Sequence, residues 1–280
     1  MKYVIIVLLA LMSLFSASGN AEEREARKLI FAFDGGYIYP LAVLQQGQLI
    51  QTFFGDEARD QPFKEYFTGA RYFLYNRGGL VDTAIVRDIN LTFGDYGNPD
   101  RATVTLASKG KKNFERGIIT NYRLTTKNGR AHRISTSLER VQLNQLLINL
   151  LSENKVKKAE ISRLIKTCSY VATQVSADEE FVHLISCVHA ENGLDRSLFL
   201  ISTPTNNKPG AAFFNLSSIP LSDESHVAGT VSYDFVDHAD LDGDGTDELL
   251  VQRFDQYLLF KRVGGIWKQV VAVSPGFINE

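Results

Sequence analysis

Asp240-Leu241-Asp242-Gly243-Asp244-Gly245-Thr246-Asp247-Glu248-Leu249-Leu250-Val251 is the stretch on which the reading of this chain turns. Counted from Asp240, carboxylates stand at positions 1, 3 and 5, Thr246 at 7 and Glu248 at 9, and an apolar run follows at once. Alternate residues of a tightly wound loop can aim inward together. Calcium, a hard cation wanting six to eight oxygens, takes such a set, with the carbonyl of the seventh residue as a further ligand. Gly243 and Gly245 permit the winding, and carboxylates crowded without a cation would repel one another at neutral pH. Asp240, Asp242, Asp244, Thr246 and Glu248 are therefore the expected metal ligands, with Ca2+ as the expected ion.

An EF-hand would need a glutamate at position 12 and helices on both sides, but that position is Val251, inside a strand-like run. The loop instead resembles the FG-GAP or VCBS repeat of integrin α chains and many exported bacterial proteins, in which an acidic loop joins two strands and a hairpin follows. Tyr257 to Trp267 would be that hairpin. The resemblance covers the C-terminal region only. It implies a calcium-stiffened β module in a binding or adhesion-type protein. The Gly-Ala-Pro element of the family is replaced here by Ala228-Gly229-Thr230.

A related stretch lies upstream. Val171 to Val182 aligns with Val236 to Leu250, and each precedes a hairpin, ending in Ser197-Leu198-Phe199-Leu200 and Tyr257-Leu258-Leu259-Phe260 respectively. In this reading the first copy has an acidic loop two residues shorter and has lost its glycines. One intact and one degenerate copy cannot close a propeller ring of four to eight blades, so a compact two-module β unit is expected.

Outward from that unit the fold class is α+β, mostly antiparallel β. Residues 170–280 form the two β modules, with strands expected over Phe181 to His189, Leu198 to Thr203, Ala211 to Leu216, Val231 to Val236, Glu248 to Phe254, Tyr257 to Arg262 and Ile266 to Val273. Residues 135–169 form a central helical segment. Thr136 and Glu139 make a capping-box start, and Leu138, Val141, Leu146, Leu147, Leu150 and Leu151 read as one apolar stripe. A second helix is expected over Lys157 to Lys166. Residues 28–134 form an N-terminal β domain of short apolar runs divided by glycine, asparagine and aspartate: Tyr37 to Leu44, Leu49 to Phe54, Arg71 to Tyr75, Thr83 to Ile89, Ala102 to Leu106 and Gly117 to Leu124.

The first residues read as a secretory signal peptide. Lys2 precedes an apolar stretch from Tyr3 to Met12 too short for a bilayer core of about 20 residues, and small residues lead to an expected cleavage after Ala21. Residues 1–21 are then removed, no membrane span remains, and the mature chain is secreted or periplasmic. Cleavage removes Lys2 and no acid, moving the formal charge from −2 to −3. A balance so near neutral gives no electrostatic case for nucleic acid or an anionic membrane as the main partner. In an oxidising compartment the only two cysteines, Cys168 and Cys187, invite one disulfide.

Chemistry elsewhere is sparse. His183, Cys187 and His189 share one face of an expected strand, a set a zinc or copper ion could use but one that reads more simply as a half-buried sheet face. Lys109-Gly110-Lys111-Lys112 is a solvated basic turn, and the aromatic residues Phe63, Tyr66, Phe67, Tyr72, Phe73 and Tyr75 read as core. No metalloprotease helix, nucleophile elbow, phosphate-cradling loop or dinucleotide fingerprint occurs, which weighs against catalysis and leaves no catalytic residues to name. The expected function is calcium-dependent, non-catalytic binding of an unidentified protein or glycan ligand. The alternative is an exported hydrolase or glycan-processing accessory protein with a structural calcium site.

Overall fold

The computed structural model describes residues 28–51, 69, 71–85, 92–93, 99–103, 105–106, 115–125, 130–177, 181–191, 194–205, 208–220, 231–254 and 256–273. The expected signal peptide, Phe63, Tyr66, Phe67, residues 109–112 and Ala228-Gly229-Thr230 lie outside them.

The strands fall into three antiparallel sheets. The N-terminal sheet is built from β1 (Lys28–Asp34), β2 (Tyr37–Gln45), β3 (Gln48–Gln51), β4 (Arg71–Asn76), β5 (Gly79–Ile85), β6 (Thr92–Phe93), β7 (Pro99–Thr103), β8 (Thr105–Leu106) and β9 (Arg116–Thr120). Its order is β6-β7-β2-β1-β9-β4-β5-β8, with β3 also on β2. The middle sheet runs in order through β10 (His132–Ile134), β11 (Ser169–Thr173), β12 (Val182–Glu191), β13 (Leu194–Thr205) and β14 (Lys208–Pro220). The C-terminal sheet is the meander β15 (Tyr233–Ala239), β16 (Glu248–Arg253), β17 (Gln256–Val263) and β18 (Ile266–Val273). Two helices, α1 (Ser137–Glu153) and α2 (Lys158–Lys166), lie between β10 and β11 in sequence.

Side-chain alternation shows how these parts stack. On the middle sheet, Ile185, Cys187, Leu198 and Leu200 pack against Leu143, Leu147 and Leu151 of α1 and Ile161 and Leu164 of α2. Their neighbours Leu184, Phe199 and Ile201 point the other way, onto Leu249, Val251, Leu258, Phe260 and Trp267 of the C-terminal sheet. Leu250, Tyr257, Leu259 and Val271 in turn leave the opposite face of that sheet and meet Ile30, Ala32, Leu41, Tyr75 and Ile118 of the N-terminal sheet. The C-terminal sheet is thus covered on both faces. That is why Glu248-Leu249-Leu250-Val251 is buried at every position instead of alternating. Each large apolar side chain removed from water here contributes roughly 1.5–3 kcal/mol.

Several expectations shift. Strand β1, a run buried over Ile30–Phe33, and strand β11 are additions to the expected set. Residues 132–134, placed with the N-terminal domain by sequence, pair instead with β11: His132 lies opposite Thr173 and Ile134 opposite Val171. The capping box of α1 is present, but its buried stripe is Leu143, Leu147 and Leu151, while Leu138 and Val141 face water. Cys168 and Cys187 form the expected disulfide, at a Cα–Cα distance of 4.0 Å, just beyond the Ser169–Ser186 rung of the β11–β12 ladder. That bond removes Cys187 from any metal set with His183 and His189.

The two meanders correspond, though not as first aligned. Thr173 pairs with Val182 across one loop and Ala239 with Glu248 across the other, so Gln174–Phe181 and Asp240–Asp247 are of equal length. The apparent deficit comes from matching Val182 to Leu250, whereas strand pairing makes it the equivalent of Glu248; the register shift between Phe235 and Asp237 adds one further residue to β15.

Candidate metal centre

The loop is wound by its own carboxylates. Asp240 Oδ1 accepts from the N–H of Gly243 at 2.8 Å and its Oδ2 from that of Gly245 at 3.2 Å. Asp242 Oδ1 accepts from the Asp244 N–H at 3.3 Å, and Asp244 Oδ1 from the Thr246 N–H at 2.8 Å. Glu248, the first residue of β16, reaches back so that its Oε2 accepts from Leu241 N–H at 2.9 Å. These local bonds are those that short acidic side chains make with nearby backbone in turns. Gly243 and Gly245 take φ of 81° and 90°, a region that a side chain bearing Cβ resists.

The winding draws together one oxygen each from Asp240, Asp242 and Asp244, all within 4.8 Å of one another. Glu248 is not a member of that trio. Thr246 is positioned by its backbone N–H, and Glu248 sits at the buried base of the loop. Burial pushes the Glu248 carboxyl up to about 8, reinforced by the charges of Asp244 and Asp240, and burial likewise raises Asp240. Both shifts arise first from loss of water around the carboxyl and only secondarily from the neighbouring acids. An all-oxygen donor set of this kind suits a hard divalent cation, calcium or magnesium alike.

A cation from the chain itself also reaches the cluster, and the sequence reading missed it. Lys261 of β17 places its Nζ in contact with Asp242 Oδ2, 3.0 Å from Asp244 Oδ2 and 3.7 Å from Glu248 Oε1. No signal near the loop reveals it, because β17 is brought alongside only by pairing with β16, where Leu249 lies opposite Phe260.

Behind the loop, Asp247 faces inward. Arg130 Nε donates to both its oxygens at 2.9 Å, its N–H donates to Val175 O at 2.7 Å, and its Oδ2 lies 2.7 Å from His238 Nδ1. The opposite ring nitrogen of His238 is 2.8 Å from Thr173 Oγ1. Hydroxyl, imidazole and carboxylate in line have the arrangement of an acyl-transfer triad. Here Thr173, His238 and Asp247 are all fully buried, so no substrate reaches the hydroxyl and the line acts as a strut. Gly78 of the β4–β5 turn closes against it: a Cβ there would lie 2.8 Å from Asp247 Oδ2. Elements of all three sheets therefore meet at Asp247.

A second polar group lies at the start of α1. Ser135 Oγ is 3.0 Å from His183 Nδ1, and His183 Nε2 is 3.8 Å from Glu139. Glu139 is held by both terminal nitrogens of Arg133 at 2.7 Å and by the Thr136 N–H at 2.6 Å. Those partners make it a helix anchor. His183 is accordingly buried structure, in keeping with the simpler of its two sequence readings.

No protein-family model, curated protein or solved structure matches this chain. Among the described residues no helix is long and apolar enough to cross a membrane.

Proposed function

We propose that this chain is an exported, non-catalytic binding or adhesion-type protein of the FG-GAP/VCBS kind, in which one calcium ion stiffens the Asp240–Glu248 loop. The observation that carries this reading is the shared focus of Asp240, Asp242 and Asp244 above the inward-facing Asp247. Three carboxylates would hold the ion, Glu248 and the Thr246 carbonyl being the expected further ligands. Ordering the loop would fix Asp247, and through it the junction of the three sheets. The neighbouring loops would then present a fixed surface to a protein or glycan ligand. Calcium binding to the folded state alone raises its stability by mass action.

The test is calorimetric titration and thermal melting of the mature chain with calcium and with EDTA. A one-to-one heat and a rise in melting temperature are expected, and Asp242→Ala abolishes both. Absence of any response in the unsubstituted chain overturns the reading.

Lys261 favours a second reading, in which its ammonium replaces the metal outright and the loop is stable without calcium. In that case EDTA and calcium give the same melting curve, and Lys261→Met lowers it equally in both.

A further inference from the structure

The near-neutral total charge conceals a segregated one. Between Arg133 and Lys166 stand seven lysine and arginine residues against three glutamates, a surplus of four positive charges in a chain whose total is −2, so the remainder carries −6. Of those glutamates, Glu139 is engaged by Arg133 and Glu160 by Arg196. Lys155, Lys157, Lys158 and Lys166 are exposed. All belong to the helical layer, whose inner side is fixed against the middle sheet by Leu143, Leu147, Leu151, Ile161 and Leu164.

The outer side of the same layer sets exposed apolar side chains among polar ones such as Gln142, Gln145 and Asn149. Leu138 is 71% exposed and Val141 67%, and Ile134 on the neighbouring strand is 68% exposed. Leu138 stands half a turn from buried Leu147 on the helical projection, so it points directly away from the sheet. Ile148 continues this exposed side toward the lysines of the α1–α2 connection. A dissolved polyanion would engage the lysines and leave Leu138 and Val141 in water. A lipid interface takes both, the apolar side chains entering the acyl boundary while lysines remain at the headgroups.

We propose that the helical layer docks this protein peripherally on an anionic lipid surface. The charge arises from residues that the calcium loop does not use, so the proposal stands independently of the metal.

Sedimentation of the mature chain with vesicles tests it, run in EDTA so that calcium neither bridges phosphates nor orders the loop. The chain pellets with vesicles containing about one-third phosphatidylglycerol and not with pure phosphatidylcholine, and raised salt weakens the association. Lys155→Glu with Lys157→Glu and Lys158→Glu lowers partitioning roughly tenfold or more, and Leu138→Asp with Val141→Asp does likewise. These positions are exposed, so both variants keep the melting transition of the parent; if the aspartate pair does not, Leu138→Ser with Val141→Ser replaces it. No pelleting with anionic vesicles overturns the proposal, as does equal pelleting with neutral ones or undiminished binding by either variant. A concentration-dependent dimer lost in the Leu138→Asp, Val141→Asp variant, without vesicle binding, also overturns it and assigns the face to a second copy.

Discussion

Lys261 decides what kind of site the acidic loop is, because a mobile cation and a tethered one compete for the same oxygens. Its ammonium brings one charge without bringing ligands for a coordination shell; calcium brings two and needs six or more oxygens. Lys261→Met separates the outcomes. In EDTA the variant melts below the parent, since the crowded carboxylates lose their counter-ion. In millimolar calcium it melts at or above the parent, and calorimetry shows affinity raised about tenfold, the effect of removing one competing charge near the ligands. The crossing of the two melting curves is the signature. A second residue-scale prediction concerns Glu139, whose carboxyl the Arg133 guanidinium holds down at about 2. Because its folded pKa lies below the ordinary value of 4.5, its contribution is present above that value and is lost as pH falls from there toward 2. Glu139→Gln removes this part of the acid dependence. Denaturant melts at pH 3 and pH 6 then differ less in the variant than in the parent. Asp237 acts with the opposite sign: burial pushes its carboxyl up to about 8, and its Oδ2 has no hydrogen-bond partner of good geometry among the described residues. Its contribution therefore declines as pH rises from the ordinary carboxylate range through 8.

At the scale of the elements, α1 offers the sharpest contrast between a pattern and its packing. Leu147→Ala should cost about 2–5 kcal/mol, since it opens a cavity between helix and sheet. Leu138→Ala should cost less than about 0.5 kcal/mol, as an exposed substitution. Urea denaturation of the two variants checks the difference. The sequence makes the helix, its capping box and its position legible, yet assigns Leu138 and Val141 to the stripe. Apolar residues at helical spacing record periodicity, not which side meets the sheet. The last hairpin has a similarly local cause: the Gly264-Gly265 turn joins β17 and β18 with Val263 opposite Ile266, and two adjacent glycines supply the positive φ it needs. Strand β1 is a short apolar run, Leu29 to Phe33, that follows directly on the charged stretch after the expected leader. Its four successive buried positions match those of β16 and β17, which the sequence reading included. Strand β11 escaped because it starts one residue after Cys168, with no turn signal between helix and strand. In the loop, alternation of acids was enough to find Asp240, Asp242 and Asp244, whereas Lys261, Arg130 and Thr173 join the cluster and the strut behind it only through strand pairing.

For the whole molecule, the decisive contact is that of Arg130 with Asp247. Three sheets stacked face to face are held mainly by apolar burial, which has no directional preference and tolerates sliding. The buried polar strut supplies direction. Arg130 comes from the chain entering β10, His238 from β15, Thr173 from β11, and the Arg77 carbonyl of the β4–β5 turn accepts from Arg130 N–H at 2.7 Å. Removing one partner of a buried pair is costlier than never having had it, because the remaining charge stays desolvated. Arg130→Met should therefore destabilise by about 3–5 kcal/mol, leaving Asp247 with His238 as its remaining side-chain partner. Arg130→Met with Asp247→Asn should recover a large part of that loss, since the amide keeps an oxygen for His238 and carries no charge. Denaturant unfolding in EDTA measures both without interference from the loop. Additive costs in the double variant would show that Arg130 and Asp247 stabilise the stack separately, and the pair would then not act as one directional strut between the sheets.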